Sequence, residues 1–419
     1  LGQYDKSFRI YDDLEKTYGI NEQLSLNKIK LLKSQKKFRE MEQELLRLSD
    51  SDKKEPRFYA YLAEYYLEQN DIEKAKQMYD RILEYDPGNP TVHLALHDYY
   101  TAKGDETTAF SELRLAFLNP ELDVAMKADI LSSFYNRAEA QPDVKQKGME
   151  LAAIMLKVHP KTPEANGMYG DFLMLDKKIA EAAPFYYAAA INERKDFRVW
   201  DNLLYTDNEL QRYDSLEKHS SMAIDLFPSQ PRNYLYNGLA NMQLRNYKKA
   251  SQSLSDGVEY VIDNNALMLD FLRLLGDAYH YLKEHEKSDK AFDDALRIDA
   301  DNTYVLNNYA YYLSLRNDYL DRAEKLSKRT IDLSPNNRNY MDTYGWILYK
   351  QKKYTEAEKW LSQASSMGPG NPTILEHYGD VLFRLNKPVD ALKQWQRAKE
   401  AGGNSETLLR KIKERKLND

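Results

Sequence analysis

The sequence contains no cysteine among its 419 residues. This absence excludes disulfides, cysteine nucleophiles and thiolate metal sites. It is also compatible with export to an oxidising compartment, where a free thiol is a liability. Long apolar runs are missing as well, since the longest nearly uncharged one covers only residues 182–191, whereas a membrane-spanning helix needs about 18 residues. We therefore expect no spanning segment in this sequence.

An excess of positive charge is also missing. The chain carries 60 basic and 66 acidic residues, a formal net charge of -6. Such a balance provides no long-range attraction to phosphate, so we expect neither nucleic acid nor anionic membrane as the main partner. No glycine-rich phosphate loop is present, because Gly402 and Gly403 follow a helical pattern and predict a helix stop.

What the sequence does contain is a repeat with a period of 34 residues. Near the C-terminus the matching pairs are Gly345 and Gly379, Ala357 and Ala391, Leu361 and Trp395, and Ala364 and Ala398. A fixed period of this length is typical of stacked helical hairpins. Extended along the chain, the register gives about eleven units, which start near Asn21, Pro56, Pro90, Asp123, Pro163, Phe197, Pro231, Leu269, Thr303, Arg338 and Pro372.

Small and large residues recur at fixed places of these units. The eighth place holds Ala63, Gly170, Gly238, Gly276, Ala310, Gly345 and Gly379, and alanine recurs at the twentieth and twenty-seventh places. Large residues recur at the seventh and twenty-fourth places. This pattern predicts that helices approach closely at the small residues while the large ones fill the remaining space. Four prolines are predicted to end second helices, namely Pro87, Pro160, Pro228 and Pro369.

These residues and spacings resemble the tetratricopeptide repeat family over nearly the whole chain. The resemblance implies an all-α fold, a right-handed α-solenoid of about eleven helix hairpins. It also implies that the first helix of each hairpin lines a concave groove in which partners bind. Because a solenoid buries surface only between neighbours, we expect one continuous array over residues 21–403 rather than separate domains.

Three places depart from the pattern. The unit from Asn21 has Lys28, Glu40 and Arg47 where small residues belong. The unit that covers residues 123–162 is stretched, with its turn predicted near residues 141–143, and residues 265–268 are inserted before the next unit. We expect the superhelix to change pitch or to be interrupted at the last two places.

The two ends of the sequence are predicted to differ from the array. Residues 1–20 resemble part of a hairpin, with a turn and the start of its second helix near residues 2–7, in a longer protein trimmed before Leu1. Residues 404–419 are predicted to form a capping helix with Leu408, Leu409 and Ile412 on its apolar face and charged residues around them.

The sequence supports no catalytic, cofactor or metal site. His93 and His97 lie four residues apart on a predicted helix, but no third ligand accompanies them. His280 and His285 are predicted to be surface residues at a helix end and turn. The many carboxylates are spread over helix faces, which is no arrangement for paired acid and base catalysis.

Tyrosine is abundant, with 33 occurrences. In the repeat register, places two, five, nine and twelve of each first helix face the groove, and place six lies beside them. Near the C-terminus these places mix aromatic, amide and charged residues, as partner-binding surfaces do. The predicted groove residues are Arg273, Asp277, Tyr304, Asn307, Asn308, Tyr311, Asp342, Trp346, Tyr349 and Asp380. The alternative is that the tyrosines pack between helices with their hydroxyls at the rim.

Two further expectations concern this surface. Asn202 and Asn308 share place six and are candidates for bonding an extended peptide backbone, while the lysine and asparagine pairs with which some relatives grip a terminal carboxylate are not reproduced. If Tyr311 and Trp346 face the groove, replacing both by alanine weakens partner capture and leaves the melting curve nearly unchanged.

The leading hypothesis is a non-catalytic scaffold that binds a protein or peptide in the groove. Residues 307–312 and 340–346 resemble exported tetratricopeptide proteins of Gram-negative bacteria, often lipoproteins, which implies a periplasmic or outer-membrane-associated location and a lipid anchor upstream of Leu1. The alternative location is cytoplasmic. Two other functions stay open: a glycan-binding solenoid, and a regulatory or recruiting region of an enzyme whose catalytic domain lies outside this sequence.

Overall fold

The computed structural model describes residues 2–192 and 195–417. Within these ranges every regular element is an α-helix, numbered α1 to α24 in chain order, which confirms the predicted all-α fold. The contacts group the chain into two compact units, Leu1–Val199 and Trp200–Asp419, which are described separately below. Leu1 and residues 418–419, which belong to the predicted ends, lie outside the described residues.

Unit 1 contains helices α1 to α11. Their bounds are α1 Gly2–Tyr18, α2 Glu22–Ser34, α3 Phe38–Ser51, α4 Pro56–Glu68, α5 Ile72–Tyr85, α6 Pro90–Ala102, α7 Glu106–Leu118, α8 Val124–Ala138, α9 Pro142–Val158, α10 Pro163–Leu175 and α11 Ile179–Asn192. From α2 onward the helices pair as antiparallel hairpins of neighbours, as α4 with α5 and α6 with α7.

Unit 2 contains helices α13 to α24, and the boundary between the units falls inside α12, Phe197–Glu209. The bounds are α13 Tyr213–Leu226, α14 Pro231–Gln243, α15 Tyr247–Val258, α16 Asn265–Tyr281, α17 His285–Ile298, α18 Thr303–Leu315, α19 Leu320–Leu333, α20 Arg338–Lys350, α21 Tyr354–Ser366, α22 Pro372–Arg384, α23 Pro388–Glu400 and α24 Glu406–Glu414. Each unit is an α-solenoid.

The helices begin and end where local chemistry requires. Five of the predicted unit starts are prolines that form the first residue of a helix, where the missing amide costs no hydrogen bond: Pro56, Pro90, Pro163, Pro231 and Pro372. Asparagine or aspartate often precedes the helix, as where the Asn89 side chain accepts a hydrogen bond of 3.1 Å from the Val92 amide. First helices end in a left-handed residue such as Asn70, φ 60°, after which the Asp71 amide donates to the Tyr66 carbonyl at 2.8 Å.

The small and large places meet as predicted. A Cβ added at Gly276 would lie 2.5 Å from Phe292 Cε1, and one added at Gly379 would lie 2.5 Å from Trp395 Cδ1, so in each hairpin the large residue at place 24 packs on the small residue at place eight. The alanines at places 20 and 27 are at most 3% exposed. Their burial brings second helices close to their neighbours.

The three segments that depart from the repeat pattern have structures that the pattern does not predict. Lys28 is buried and its ammonium pairs with Glu15 and, at 2.8 Å, with Asp12, both on α1. In the stretched unit α8 and α9 grow to 15 and 17 residues, and Pro142 begins α9 instead of lying in the turn. Residues 265–268 are the first turn of the 17-residue helix α16, so they lengthen a helix and do not interrupt it.

Both ends also differ from expectation. Gly2 is already helical in α1, so the turn expected near residues 2–7 is not found in the described part of that segment. In α24, Leu408 is buried as predicted, but Leu409 is 41% exposed and Lys411 is buried in its place. Lys411 is buried because it faces α22, where its ammonium pairs with the carboxylates of Glu376 and Asp380.

Candidate functional site

The ten predicted groove residues lie on four first helices of unit 2, α16, α18, α20 and α22, each of which packs against the next. We call this surface the α16–α22 face. Its ten residues are Arg273, Asp277, Tyr304, Asn307, Asn308, Tyr311, Asp342, Trp346, Tyr349 and Asp380. The repeat register therefore brings residues that are distant in sequence onto adjacent helices.

Asp277 on α16 is the centre of a polar cluster with α18. Its side chain is buried and accepts hydrogen bonds from the hydroxyls of Tyr304 and Tyr312, at 2.6 and 3.0 Å, and from the Asn308 amide at 3.4 Å. Burial raises the pKa of the Asp277 carboxyl, and the three hydrogen bonds oppose that rise. The carboxylate holds α18 against α16 and offers little to a partner.

Tyr304 is the most exposed aromatic residue of the predicted set. Tyr304 is 41% exposed, while its hydroxyl is fixed by Asp277 and the Arg273 guanidinium lies 5.3 Å from the ring centroid. Arg273 is itself oriented by Asp270, whose carboxylate accepts from Nε at 2.9 Å. Asp277 fixes the hydroxyl of this exposed residue and Arg273 packs over its ring, so Tyr304 offers a rigid contact surface.

Asn307 and Tyr311 continue this surface along α18. The Asn307 amide donates to Asn308 Oδ1 at 3.3 Å, and the Tyr311 ring is half-buried with its centroid 6.2 Å from that of Tyr312. Burial and the nearby charge of Asp342 raise the pKa of the Tyr311 hydroxyl. Asn308 donates one of its two amide hydrogens to Asp277, so at most one remains for the backbone of a peptide.

Asp342 and Trp346 on α20 are joined to α22 through His377. The His377 ring bonds Asp342 Oδ1 through Nδ1 at 2.9 Å and stacks on Trp346 with a centroid distance of 3.9 Å. Tyr349 stacks on the same indole at 4.8 Å, and the Lys350 ammonium lies 4.9 Å from it. Little of the Trp346 ring is therefore left for a partner.

His377 is not among the ten predicted groove residues, although its position in the repeat could have indicated it. His377 occupies place six of its unit, the place of Asn202 and Asn308 in theirs. Burial acts to lower the pKa of the ring, but the charge and hydrogen bond of Asp342 outweigh burial, so the pKa of His377 is raised. A protonated ring suits this position between a carboxylate and an indole.

Asp380 is likewise an internal residue. Its carboxylate accepts from the buried Lys411 ammonium at 2.7 and 2.8 Å and from the Trp395 indole at 2.9 Å. Burial raises the pKa of the Asp380 carboxyl against the opposing charge of Lys411. The three predicted aspartates, Asp277, Asp342 and Asp380, thus position helices, and the surface open to contact consists of Arg273, Tyr304, Asn307, Tyr311 and Tyr349.

The histidines outside this face have structural partners. His93 contacts Glu112 at 2.6 Å and the Pro87 carbonyl at 2.9 Å, and His97 contacts the Ala109 carbonyl at 2.9 Å. His280 is not the surface turn residue that we predicted, because its ring stacks on Tyr312 at 3.5 Å in the last turn of α16. Burial lowers the pKa of His280 to about 4.

The described ranges show no group of three or more histidine or acidic side chains placed to hold a metal ion. None of the helices in the described part of the chain combines the length and apolar character that crossing a bilayer requires.

Comparison with known proteins identifies the repeat. Models of the tetratricopeptide repeat match residues 42–98, 271–302 and 345–405. No curated protein matches the chain. Repeats of this kind create extended surfaces for protein contact.

Solved structures that resemble this one include pilF of Pseudomonas aeruginosa. The match has 21% identity, covers 44% of this chain and 85% of that chain, and has a TM-score of 0.38. Yeast Tom70 is 15% identical over 93% of both chains, with a TM-score of 0.38. The Cut9–Hcn1 hetero-tetramer of APC/C provides a chain 10% identical over 99% of this chain and 93% of that one, with a TM-score of 0.49. The hairpins of both units and the three matched segments show that this chain contains tetratricopeptide repeats.

Proposed function

We propose that the chain is a non-catalytic scaffold that binds a peptide segment of a protein partner on the α16–α22 face. The observation that carries this proposal is the pairing of Tyr304 and Arg273, an exposed ring held in place by Asp277 and by a guanidinium over its face. Tyrosine and arginine are the residue types that dominate binding energy at protein interfaces. Because both are already oriented, little conformational entropy is lost on binding.

The proposed partner segment lies along α18, where Tyr304, Asn307 and Tyr311 follow one another at helical spacing. Its apolar or aromatic side chains pack on the exposed part of Tyr304, and its backbone or polar groups meet the amide of Asn307. The aspartates act behind this surface, since their hydrogen bonds fix the rings that the partner contacts.

Glycan binding is the less favoured alternative. A sugar ring stacks on an open aromatic face, but Trp346, the largest ring of the predicted set, already stacks on His377 and Tyr349. Calorimetry with peptidoglycan fragments tests this alternative directly. We expect no saturable heat, and saturable heat from glycan alone would contradict the proposal.

The test of the peptide-binding proposal starts with the partner. The full chain captures proteins from the source cells, mass spectrometry identifies them, and the affinity of the purified partner is then measured by titration calorimetry. We expect Tyr304→Ala and Arg273→Ala each to weaken binding about tenfold or more, as for residues at the centre of an interface. The control is Tyr319→Ala, because Tyr319 is 66% exposed and precedes a second helix. Equal affinities for all variants would remove the α16–α22 face as the binding site.

We also propose that the scaffold works in an exported or membrane-anchored bacterial complex. The support is the resemblance of residues 307–312 and 340–346 to exported proteins of this family. Fractionation of the source cells, with detection by antibody, is expected to place the protein with the periplasmic or outer-membrane fraction. Recovery with the cytoplasmic fraction would overturn this location.

A further inference from the structure

A cleft of about 830 Å³ separates the α6/α7 hairpin from the α8/α9 hairpin in unit 1. It is lined by the C-terminal halves of α6 and α8 and by the N-terminal halves of α7 and α9, at the ends where each hairpin turns. The volume is within the range of about 300 to 1,000 Å³ that is typical of ligand sites. It is remote in sequence from the α16–α22 face.

Lys127 joins the two hairpins at the ends that lie opposite the cleft. Lys127 of α8 is buried, and its ammonium donates to the Asn119 carbonyl at the end of α7 and contacts His159 Nε2 at the end of α9, both at 2.8 Å. Burial lowers the pKa of Lys127 to about 8, so the group still carries a donating proton at neutral pH. This contact holds the ends of α7 and α9 against α8.

Two ion pairs join α7 to α9 along one side of the cleft. Arg114 pairs with Glu150 at 2.6 Å and Lys147 pairs with Glu106 at 3.6 Å. The opening therefore lies between the first helices α6 and α8. Several neighbouring first helices pack directly on each other, as α8 on α10 and α18 on α20 do, but α6 and α8 are not packed in this way. The space between α6 and α8 is therefore accessible to a segment that neither hairpin supplies.

The floor of the cleft is apolar. The rings of Phe110 and Phe134 are half-buried, as are the side chains of Leu94 and Ile130. Each ring lies under a cation, with Lys147 Nζ 5.7 Å from the Phe110 centroid and the Arg137 guanidinium carbon 5.4 Å from the Phe134 centroid. Apolar side chains of a ligand can contact the ring edges and the aliphatic floor between them.

The rim is acidic on balance. Asp98, Glu106 and Asp143 line it with Lys147 and Arg137, and Lys147 is already engaged by Asp143 at 2.9 Å. Asp98 is exposed on the α6 wall. His97 adds an acceptor, because its Nδ1 must donate to the Ala109 carbonyl, which leaves the lone pair on Nε2. A ligand that complements this rim carries a positive charge.

We propose that this cleft binds a short amphipathic segment of a protein partner, with its apolar side chains on Phe110 and Phe134 and a lysine or arginine facing Asp98. The site is a second point of contact, independent of the α16–α22 face. Two such sites let one chain hold two segments at once.

The test uses a random dodecapeptide display library selected against the full chain, followed by fluorescence anisotropy with the enriched peptides. We expect enriched sequences with apolar residues three or four positions apart and a nearby lysine or arginine. Ser133→Trp, which fills the cleft, is expected to weaken their binding about tenfold. The matched control is Ser132→Trp, since Ser132 is the exposed neighbour on α8 that does not line the cleft.

Two more variants separate the parts of the proposal. Asp98→Lys is expected to weaken the enriched peptides about tenfold by charge repulsion, whereas Tyr304→Ala is expected to leave their affinity unchanged. Failure to enrich peptides, equal binding by Ser133→Trp, or loss of binding in Tyr304→Ala would each overturn the cleft as a peptide site. Unchanged binding by Asp98→Lys, or binding of dodecanoate in preference to the peptides, would overturn the basic character of the ligand. If Tyr304→Ala loses capture of the protein partner but still binds the enriched peptides, the α16–α22 face and the cleft are separate sites.

Discussion

Gly276 sets how closely α16 and α17 approach. A methyl group at this position would lie 2.5 Å from Phe292 Cε1, and Phe292 is buried with no room to move aside. The same contact between places eight and 24 recurs at Gly238 with Leu254 and at Gly345 with Leu361. Small residues at place eight are therefore a packing requirement of each hairpin.

Gly276→Ala is expected to lower the free energy of unfolding by about 1 to 3 kcal/mol, because overpacking outweighs the gain in helix propensity. The matched control is Gly167→Ala in α10, where the added methyl would lie 3.8 Å from Val199 Cγ2. Without a clash, that change is expected to stabilise by up to about 1 kcal/mol. Urea unfolding of both variants measures the contrast, and changes of the same sign and size would contradict this account of place eight.

Trp346 provides a second prediction at this scale. The sequence alone predicted little loss of stability on its replacement, but the indole stacks on two rings and its Nε1 is buried. Trp346→Ala is therefore expected to cost about 2 kcal/mol in urea unfolding, from lost packing. The exposed Tyr319→Ala should change stability by less than about 0.5 kcal/mol. If the two variants unfold alike, Trp346 is a surface residue after all.

The sequence predicted which residues share the α16–α22 face but not how they divide between contact and support. Asp277 and Tyr304 both occupy groove places, yet Asp277 is buried and Tyr304 is 41% exposed. Burial of the aspartate depends on hydroxyls 27 and 35 residues further along the chain. The repeat register predicts which helices lie side by side. It does not predict which polar side chains form hydrogen bonds between those helices.

Helix α24 is held by the ion pairs of one buried lysine. Lys411 joins it to Asp380 and Glu376 on α22, while Leu408 packs with Trp395 in the last hydrophobic cluster. The sequence predicted a capping helix here, and this helix forms. The sequence predicted Lys411 on the solvated side of this helix. The pattern of charged residues and leucines within α24 does not show that a carboxylate lies opposite Lys411 on a neighbouring helix.

Lys411→Ala is expected to destabilise unit 2 by roughly 3 kcal/mol, because it leaves the Asp380 carboxylate buried without its cation. Hydrogen exchange of the α24 amides should rise together with the loss measured in urea. The exposed Lys413→Ala on the same helix is the control. Adding Asp380→Asn to Lys411→Ala should recover part of the loss, and no recovery would mean that packing rather than charge holds α24.

The link between α20 and α22 is expected to depend on pH. The groups that face His377 are Asp342, Asp380 and Glu376, and together they keep its pKa above the ordinary value of 6.5 despite burial. A raised folded pKa contributes stability that is complete below the unfolded pKa and is lost as the pH rises through the folded pKa.

The difference in unfolding free energy between the wild type and His377→Gln is therefore expected to be largest near about pH 6 and to shrink toward about pH 9. Asp342→Asn should flatten the same dependence, because it removes the adjacent charge. Denaturant unfolding across this pH range provides the measurement. A difference that stays constant, or that grows with pH, would contradict a protonated His377.

At the scale of the molecule, the period of 34 residues predicted the hairpin order of both units, because helix starts follow from proline and capping residues at fixed places. It did not predict the cleft beside α8. The cleft lies between two hairpins that Lys127 joins at their far ends, and the spacing of neighbouring hairpins is a matter of packing geometry. The repeat pattern also did not show that the inserted residues 265–268 are in register with α16 and extend it by one turn.

The central claim is that a partner binds on the first helices of unit 2. Site-directed photo-crosslinking tests it most directly, with benzoylphenylalanine placed at Tyr304, Tyr311 or Tyr319 of the full chain in its source cells. The account predicts crosslinks to the same protein from Tyr304 and Tyr311 and none from Tyr319, which is exposed but lies off the face. Crosslinks from Tyr319 alone, or equally from all three positions, would contradict it.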